Sequence, residues 1–440
     1  MTVLGLAPSS LVLAEAYLGR AGRIALVVAL VAAPVIGRPI PMLGCIRAAT
    51  RRASTLPIFS RPGFELWWCV LLVLWSVGLA TAFPGHLRGA LGAEIIRVED
   101  LAHGWKASRI GWAAERHELV GVHADGADYL GFTIVDVSGT PPVSRFFAAP
   151  WDNAVLDLTM LGAHGLAVAH TEHDDKSFLI DLDRRMAETR PEAGVIASAF
   201  DPVNDRIHVI QRGKRTAITG GDTAVLTLDL DDYLAQRWSE ARRHELATPE
   251  APTALAMDPR DPDHLYVRGE GGTRGIADID LASGAARTLD LPPPLGGLAV
   301  DAARRRAYVT NGARSSLYEI SLDGFDLERE VWLGGVPGTL DVLTGTGAIA
   351  VGTRMTGELL VLDQDTLDVH VRLKTCWRKD PAFRAGAALF LGEMRELRWD
   401  EPSRTLFVAD VCGLRRVRFP AGWRIRGADP ETKAPAGGPT

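Results

Sequence analysis

LAVDAARRRAYVTNG, residues 298–312, holds two apolar β-type runs, LAV and AYV, on either side of a polar turn led by Asp301 and ending in Arg304, Arg305 and Arg306. Short runs of this kind separated by turn residues read as two strands. The same plan returns in LAMDPRDPDHLYVRG (255–269), LDVLTGTGAIAVGT (340–353) and LRWDEPSRTLFVAD (397–410). Looser copies are SAFDPVNDRIHVIQ (198–211), LTMLGAHGLAVAH (158–170) and IGWAAERHELVGVH (110–123). A third apolar run follows each copy: 129–137, 177–183, 224–231, 275–281, 316–322, 358–363 and 414–419.

The second-strand valines fall at 168, 209, 267, 309, 351 and 408, with Val120 or Val122 in the first copy. They mark a unit of about 42 residues, the length of a four-stranded blade, lengthened twice by insertions. The insertions are expected at 212–221 with 231–244, and at 374–392. One blade cannot bury both faces of its sheet, whereas radial stacking covers them and leaves only short protected edges. Seven copies therefore predict an all-β, seven-bladed β-propeller over 94–426, with a disordered Pro/Gly-rich tail at 427–440. Copy seven runs out at Phe419. Its fourth strand is expected either from EIIRVE (94–99), which would join the two ends of the ring, or from Trp423, Arg424 and Ile425.

The segment Ala307, Tyr308, Val309, Thr310, Asn311, Gly312, then Leu317 to Ile320 and the turn Gly334, Gly335, Val336, Pro337, resembles the YVTN-type β-propeller repeat. Close similarity covers about one and a half blades, and looser similarity covers roughly 105–419. The tetrapeptide departs from the pattern at 266–269, 350–353 and 407–410. The resemblance implies an extracytoplasmic propeller, a binding or surface scaffold without one shared chemistry.

The rest of the chain differs in charge. Residues 1–93 carry eight Arg, no Lys and two acids, Glu15 and Glu65, hence +6; the other residues carry 40 basic and 52 acidic groups, hence −12. Such a balance gives no reason to expect nucleic acid as a partner. Two apolar stretches lie in the basic part. The first, 24–37, is too short for a hydrocarbon core of about 30 Å at about 1.5 Å per helical residue. The second, 66–83, is long enough and carries Trp67, Trp68 and Trp75. Arg38, Arg47, Arg51, Arg52 and Arg61 between them place the 38–65 loop in the cytoplasm by the positive-inside rule, and everything after Phe83 outside. Two readings share this orientation: 66–83 stays as a membrane anchor, or the chain is cleaved after the small residues Ala80, Thr81 and Ala82 and released. A signal peptide starting at Met42, or a buried soluble helix, are further readings of the same residues.

No G-x-S-x-G, H-E-x-x-H or Cys-x-x-Cys motif is present. Gly345, Gly347 and Ala350 satisfy G-x-G-x-x-A but lead into a strand, where no helix N-terminus can hold a pyrophosphate. No cofactor is expected, apart from a divalent metal as a minority reading. His170, His173 and Asp174 are its candidate ligands, a solvated acidic loop being the alternative. Loops after second strands should share one rim, bringing together His123, His170, Gln211, Arg268, Asn311, Arg354 and Asp410 as a candidate ligand rim. Cys376 and Cys412 would face that rim, where an oxidising compartment permits a disulfide or leaves two thiols. Two function classes follow. One is a membrane-tethered or exported scaffold for a protein, peptide or envelope polymer. The other is a metal-assisted hydrolase or lyase at the channel mouth, using Asn311, Asp410 and His123 or His170.

Overall fold

The computed structural model describes residues 97–103, 107–123, 130–151, 155–171, 176–190, 194–211, 224–245, 252–269, 275–354, 357–374, 394–410 and 413–425. They form seven four-stranded antiparallel sheets. Blade 1 is built from Ala107–Ala113, Glu118–His123, Gly131–Asp136 and Val143–Ala148; blade 2 from Val155–Met160, Leu166–Thr171, Ser177–Asp181 and Met186–Arg190. Blade 3 takes Val195–Asp201, Arg206–Gln211, Ala224–Asp229 and Arg242–Glu245; blade 4 Pro252–Ala256, His264–Gly269, Ile276–Asp280 and Ala286–Leu289. Blade 5 takes Leu295–Asp301, Arg306–Asn311, Ser316–Ser321 and Asp326–Trp332; blade 6 Pro337–Leu343, Ala348–Thr353, Glu358–Asp363 and Val369–Lys374. Blade 7 comprises Met394–Asp400, Thr405–Asp410, Gly413–Arg418 and, from the other end of the chain, Arg97–His103.

The first strand of each blade packs against the first strand of the next, and that of blade 7 against that of blade 1, so the first strands surround the axis and the ring is closed. Apolar clusters fill the interfaces between neighbouring blades. Val168 and Leu161 of blade 2 meet Val195, Val209 and Leu226 of blade 3; Tyr308 and Leu317 of blade 5 meet Leu340, Val351 and Leu360 of blade 6. The closing interface is of the same kind: Phe407, Ala409 and Leu414 of blade 7, with Leu101, pack on Ala107, Ile110 and Leu119 of blade 1. Burial of both faces is why the inner three strands are nearly continuous apolar runs.

The turns follow from their aspartates. Asp301 accepts from the Arg304 N–H (3.3 Å) and Arg305 takes a left-handed φ of 54°. Asp201, Asp181, Asp280 and Asp363 each accept two backbone N–H groups in the turn that follows them, as Asx turns do. At this end of the ring, side chains join blade to blade. Arg116 donates to Asp183 (2.7 Å), His164 pairs with Asp205 (2.9 Å), and Arg242 donates to the Ala282 carbonyl (2.7 Å). Arg305 to Asp261 (2.8 Å), Arg304 to Asp365 (2.6 Å), Thr344 to Glu401 (2.5 Å) and Arg416 to the Val137 carbonyl (3.5 Å) continue the series round to blade 1.

Two expectations are corrected in detail. The N-terminal candidate closes the ring: its strand is described over Arg97–His103, four residues beyond the expected end at 99, pairing from Arg97 with Arg418 to His103 with Gly413, while 94–96 lie outside the described residues. Residues 423–425 are no strand: Trp423 donates to Pro420 (3.0 Å), Ile425 to Thr346 (3.4 Å), and both pack on the apolar cluster of blades 6 and 7. The stretch 231–244 is not simply an inserted loop. It holds most of a short helix, Leu230–Leu234, a 3-10 turn, Trp238–Glu240, and most of the outer strand of blade 3, Arg242–Glu245. Tyr233 of the helix is fully buried, and its carbonyl accepts from Arg190 of blade 2 (2.6 Å). Among the described residues no helix is long and apolar enough to cross a membrane. The stretches 24–37, 38–65 and 66–83, the cleavage position after Ala82 and the tail 427–440 lie outside the described residues.

Candidate functional site

Antiparallel order fixes the geometry of the rim: every second strand ends where the inner strands begin. His123, Gln211, Asn311 and Asp410 are the last residues of their second strands. His170 and Arg268 are one residue short of that position, and Arg354 is one beyond it. Thr171, Gly269 and Thr353 hold the equivalent place. Because side chains alternate faces along a strand, this offset turns His170 and Arg268 to the opposite face. The seven residues share a rim, therefore, without converging on one face.

Several of them are tied into the scaffold. His123 is buried with Nε2 2.7 Å from Thr133 Oγ1, and its carbonyl accepts from the Trp151 indole (3.0 Å). His170 is fully buried, with Nδ1 2.7 Å from Ser177 Oγ and Nε2 2.8 Å from Ser198 Oγ on the next blade. Asn311 donates to the Pro292 carbonyl (2.6 Å) and accepts from the Arg314 N–H (2.8 Å). Asp410 is buried against Arg415 (3.2 Å), and Arg268 donates to the Leu295 carbonyl on blade 5 (2.7 Å). Gln211 is half-buried and Arg354 exposed. His173, Asp174, Cys376 and Cys412 lie outside the described residues. Among those described, no group of three or more His, Cys, Asp or Glu side chains is placed to hold a metal ion.

Closer to the axis stands a cluster that the rim reading missed. Register puts Arg109, Asp157 and Glu396 at equivalent places on the inner strands of blades 1, 2 and 7, each opposite the next-to-last residue of its second strand. Asp341 and Arg398 sit two residues further along on blades 6 and 7. Arg398 donates to Glu396 (2.8 Å), which also lies 3.7 Å from Arg109. Arg109 donates to the Leu156 carbonyl (2.6 Å), Asp157 accepts from the Ser198 N–H (2.8 Å), and Asp341 accepts from the Trp399 N–H (2.8 Å). Each of these bonds satisfies a backbone group on the free edge of the neighbouring inner strand. Burial pushes Asp341 up to about 6 despite Arg398 and the N–H groups of Trp399 and Val342, and pushes Asp157 up against the Ser198 N–H and Arg109. Burial would lower Arg398, but Glu396, Asp341 and Asp157 together hold it above its ordinary value. Asp157 stands two blades from Arg398, so the charges meet around the axis rather than at one interface. Two guanidiniums here face three carboxylates, and the bonds they make tie blades 6, 7, 1, 2 and 3 together. A sequence signal existed: a charged residue inside an apolar inner-strand run, as in LRWD, LDVL and LDLT.

Comparison with protein-family models finds no match for this chain, and comparison with curated proteins finds none either. The seven-bladed propeller accordingly rests on the chain's own topology, and the YVTN likeness remains a resemblance of the segment 307–342.

Proposed function

We propose that the protein is a binding scaffold that engages a protein, peptide or envelope polymer through the rim where the second strands end, and that it is tethered to or exported across a membrane. Propellers commonly serve as binding scaffolds, and the observation that favours this rim is the difference between the two ends of the ring. At the opposite end short turns, many of them Asx-type, and the longer helical segment 230–241 of blade 3, whose Tyr233 is buried against blade 2, are bonded from blade to blade around the circle. At the rim the connections vary in length from 411–412 to 212–223 and 375–393, beyond what ring closure needs. Length without a closing role is where recognition is carried. The uncharged stretch 66–83 with its flanking arginines supports the membrane half of the reading.

Site-specific photo-crosslinkers placed in the full chain, in the cell that makes it, test this. Exposed rim positions Ala148 and Ala313 should form discrete adducts, whereas Val203 and Asp323 at the opposite end should not. Adducts from the opposite end alone, or from neither, would sink the rim reading.

A further inference from the structure

Among the described residues the most exposed large apolar side chain is Trp332, at 73%. It ends the outer strand of blade 5 and pairs with Ser316, the first residue of the third strand, which puts it at the rim. Its indole lies over the following turn, since a Cβ built on Gly334 would stand 3.2 Å from Trp332 Cη2. The Leu333 and Gly334 N–H groups donate to the Ser315 carbonyl (2.7 and 3.2 Å), which fixes the turn to the loop that carries Arg314. A side chain so exposed does little for the core, and an indole held on a firm turn is the kind of anchor that dominates interfaces.

The backbone beside it is strained. Val336 has φ 55°, a left-handed conformation that a β-branched residue rarely adopts. It is held there because the Arg354 N–H donates to its carbonyl (2.8 Å) and because Gly312, lacking a side chain, leaves room for its methyl; a Cβ on Gly312 would be 3.3 Å from Val336 Cγ1. Strain that the surroundings sustain gathers at binding sites. The charges nearby are cationic in balance. Arg314 is exposed and only loosely paired with Glu330 (3.5 Å), and the exposed Arg354 has no carboxylate partner among the described residues.

We infer that the rim sector of Trp332, Arg314, Val336 and Arg354, on blades 5 and 6, docks an acidic protein segment that sets an apolar side chain against the indole and carboxylates against the two guanidiniums. This rests on the rim reading above and names its partner class. Charge complementarity selects the occupant: beyond residue 93 the chain carries −12, so an acidic segment is repelled over most of the propeller and admitted at this cationic spot.

The test selects a displayed random-peptide library on the intact protein, then measures binding of a synthetic selected peptide. Acidic peptides with an aromatic or aliphatic residue should be enriched. Their affinity should fall with added salt and by about tenfold or more in Trp332→Ala and in Arg354→Glu. A peptide with its acids changed to lysine should recover binding to the Arg354→Glu protein. Both side chains are exposed, so thermal melting should match the parent and separate lost binding from lost fold. Enrichment of basic or uncharged peptides, binding indifferent to both variants, or binding of an acidic polysaccharide such as polygalacturonate in place of any peptide would overturn the proposal. Selected peptides that block crosslinking from Ala148 on blade 1 while ignoring Trp332 would sink this sector and leave the rim reading standing; absence of any rim adduct would remove both.

Discussion

His208 and Asp341 titrate in opposite senses. Burial pushes the His208 imidazole down to about 4, and nearby Asp201 does not offset it. Unfolded, this group protonates near about 6.5, so its contribution is intact above that pH and is lost as pH falls toward 4. Asp341, pushed up to about 6 by burial, binds its proton more tightly when folded. Its contribution is complete below the unfolded value of about 3.8 and is lost as pH rises through 6. Between pH 7 and pH 5 the two nearly cancel. His208→Gln should leave a protein about 1 kcal/mol more stable at pH 5 than at pH 7, and Asp341→Asn one about 2 kcal/mol less stable, by urea denaturation at each pH. Identical pH dependence in parent and variants would show that neither group is buried as described. At this scale the sequence was only partly legible. Rim residues could be assigned to a rim, but His170 and Arg268 are displaced by one position, and in a strand one position reverses the face. The axial charges stayed hidden because a carboxylate that accepts a neighbouring strand's N–H sits within an apolar run.

Elements differ in legibility according to how many of their faces are covered. The first three strands of each blade lie between neighbours and read as apolar runs. The outer strands do not: VSRFFA, ARTL and DLEREVW are mostly exposed and present an edge to water, so no apolar period marks them. The closing strand, Arg97–His103, is an outer strand too, and only its place ahead of copy one betrayed it. Its Leu101 is nevertheless buried in the interface of blades 7 and 1, beside Phe407, whose ring centroid is 4.3 Å from that of Trp112. Leu101→Ala should therefore cost about 2–4 kcal/mol, and Phe407→Ala about 3–5. Leu327→Ala, on the exposed outer strand of blade 5, should stay within roughly 1 kcal/mol. Equilibrium denaturation of the three variants distinguishes a ring closed by its N-terminal strand from one in which that strand is merely attached: in the second case Leu101 and Leu327 would cost the same.

On the scale of the whole molecule, a ring of like units has no intrinsic compartment, and what assigns one is the chain ahead of it. Residues 1–93 hold their positive charge chiefly before 66–83, at Arg38, Arg47, Arg51, Arg52 and Arg61, while Arg88 alone follows closely. Lysines and arginines near a span orient it, whereas acids contribute little, so the −12 carried beyond residue 93 would neither help nor hinder transfer of the propeller. On this reading a reporter enzyme active only outside the cytoplasm, fused after residue 425 of the full chain, should be active. Replacing Arg47, Arg51, Arg52 and Arg61 by Asn leaves Arg20, Arg23 and Arg38 ahead of the span, all beyond the roughly 15–20 residues over which flanking charge counts most, and Arg88 close behind it; the bias near the span is then gone and reporter activity should fall severalfold. Retained activity in that variant would mean that something other than loop charge directs the chain. A silent reporter on the unaltered chain would place the rim in the cytosol, and the envelope polymer would then drop out of its possible partners while proteins and peptides remained.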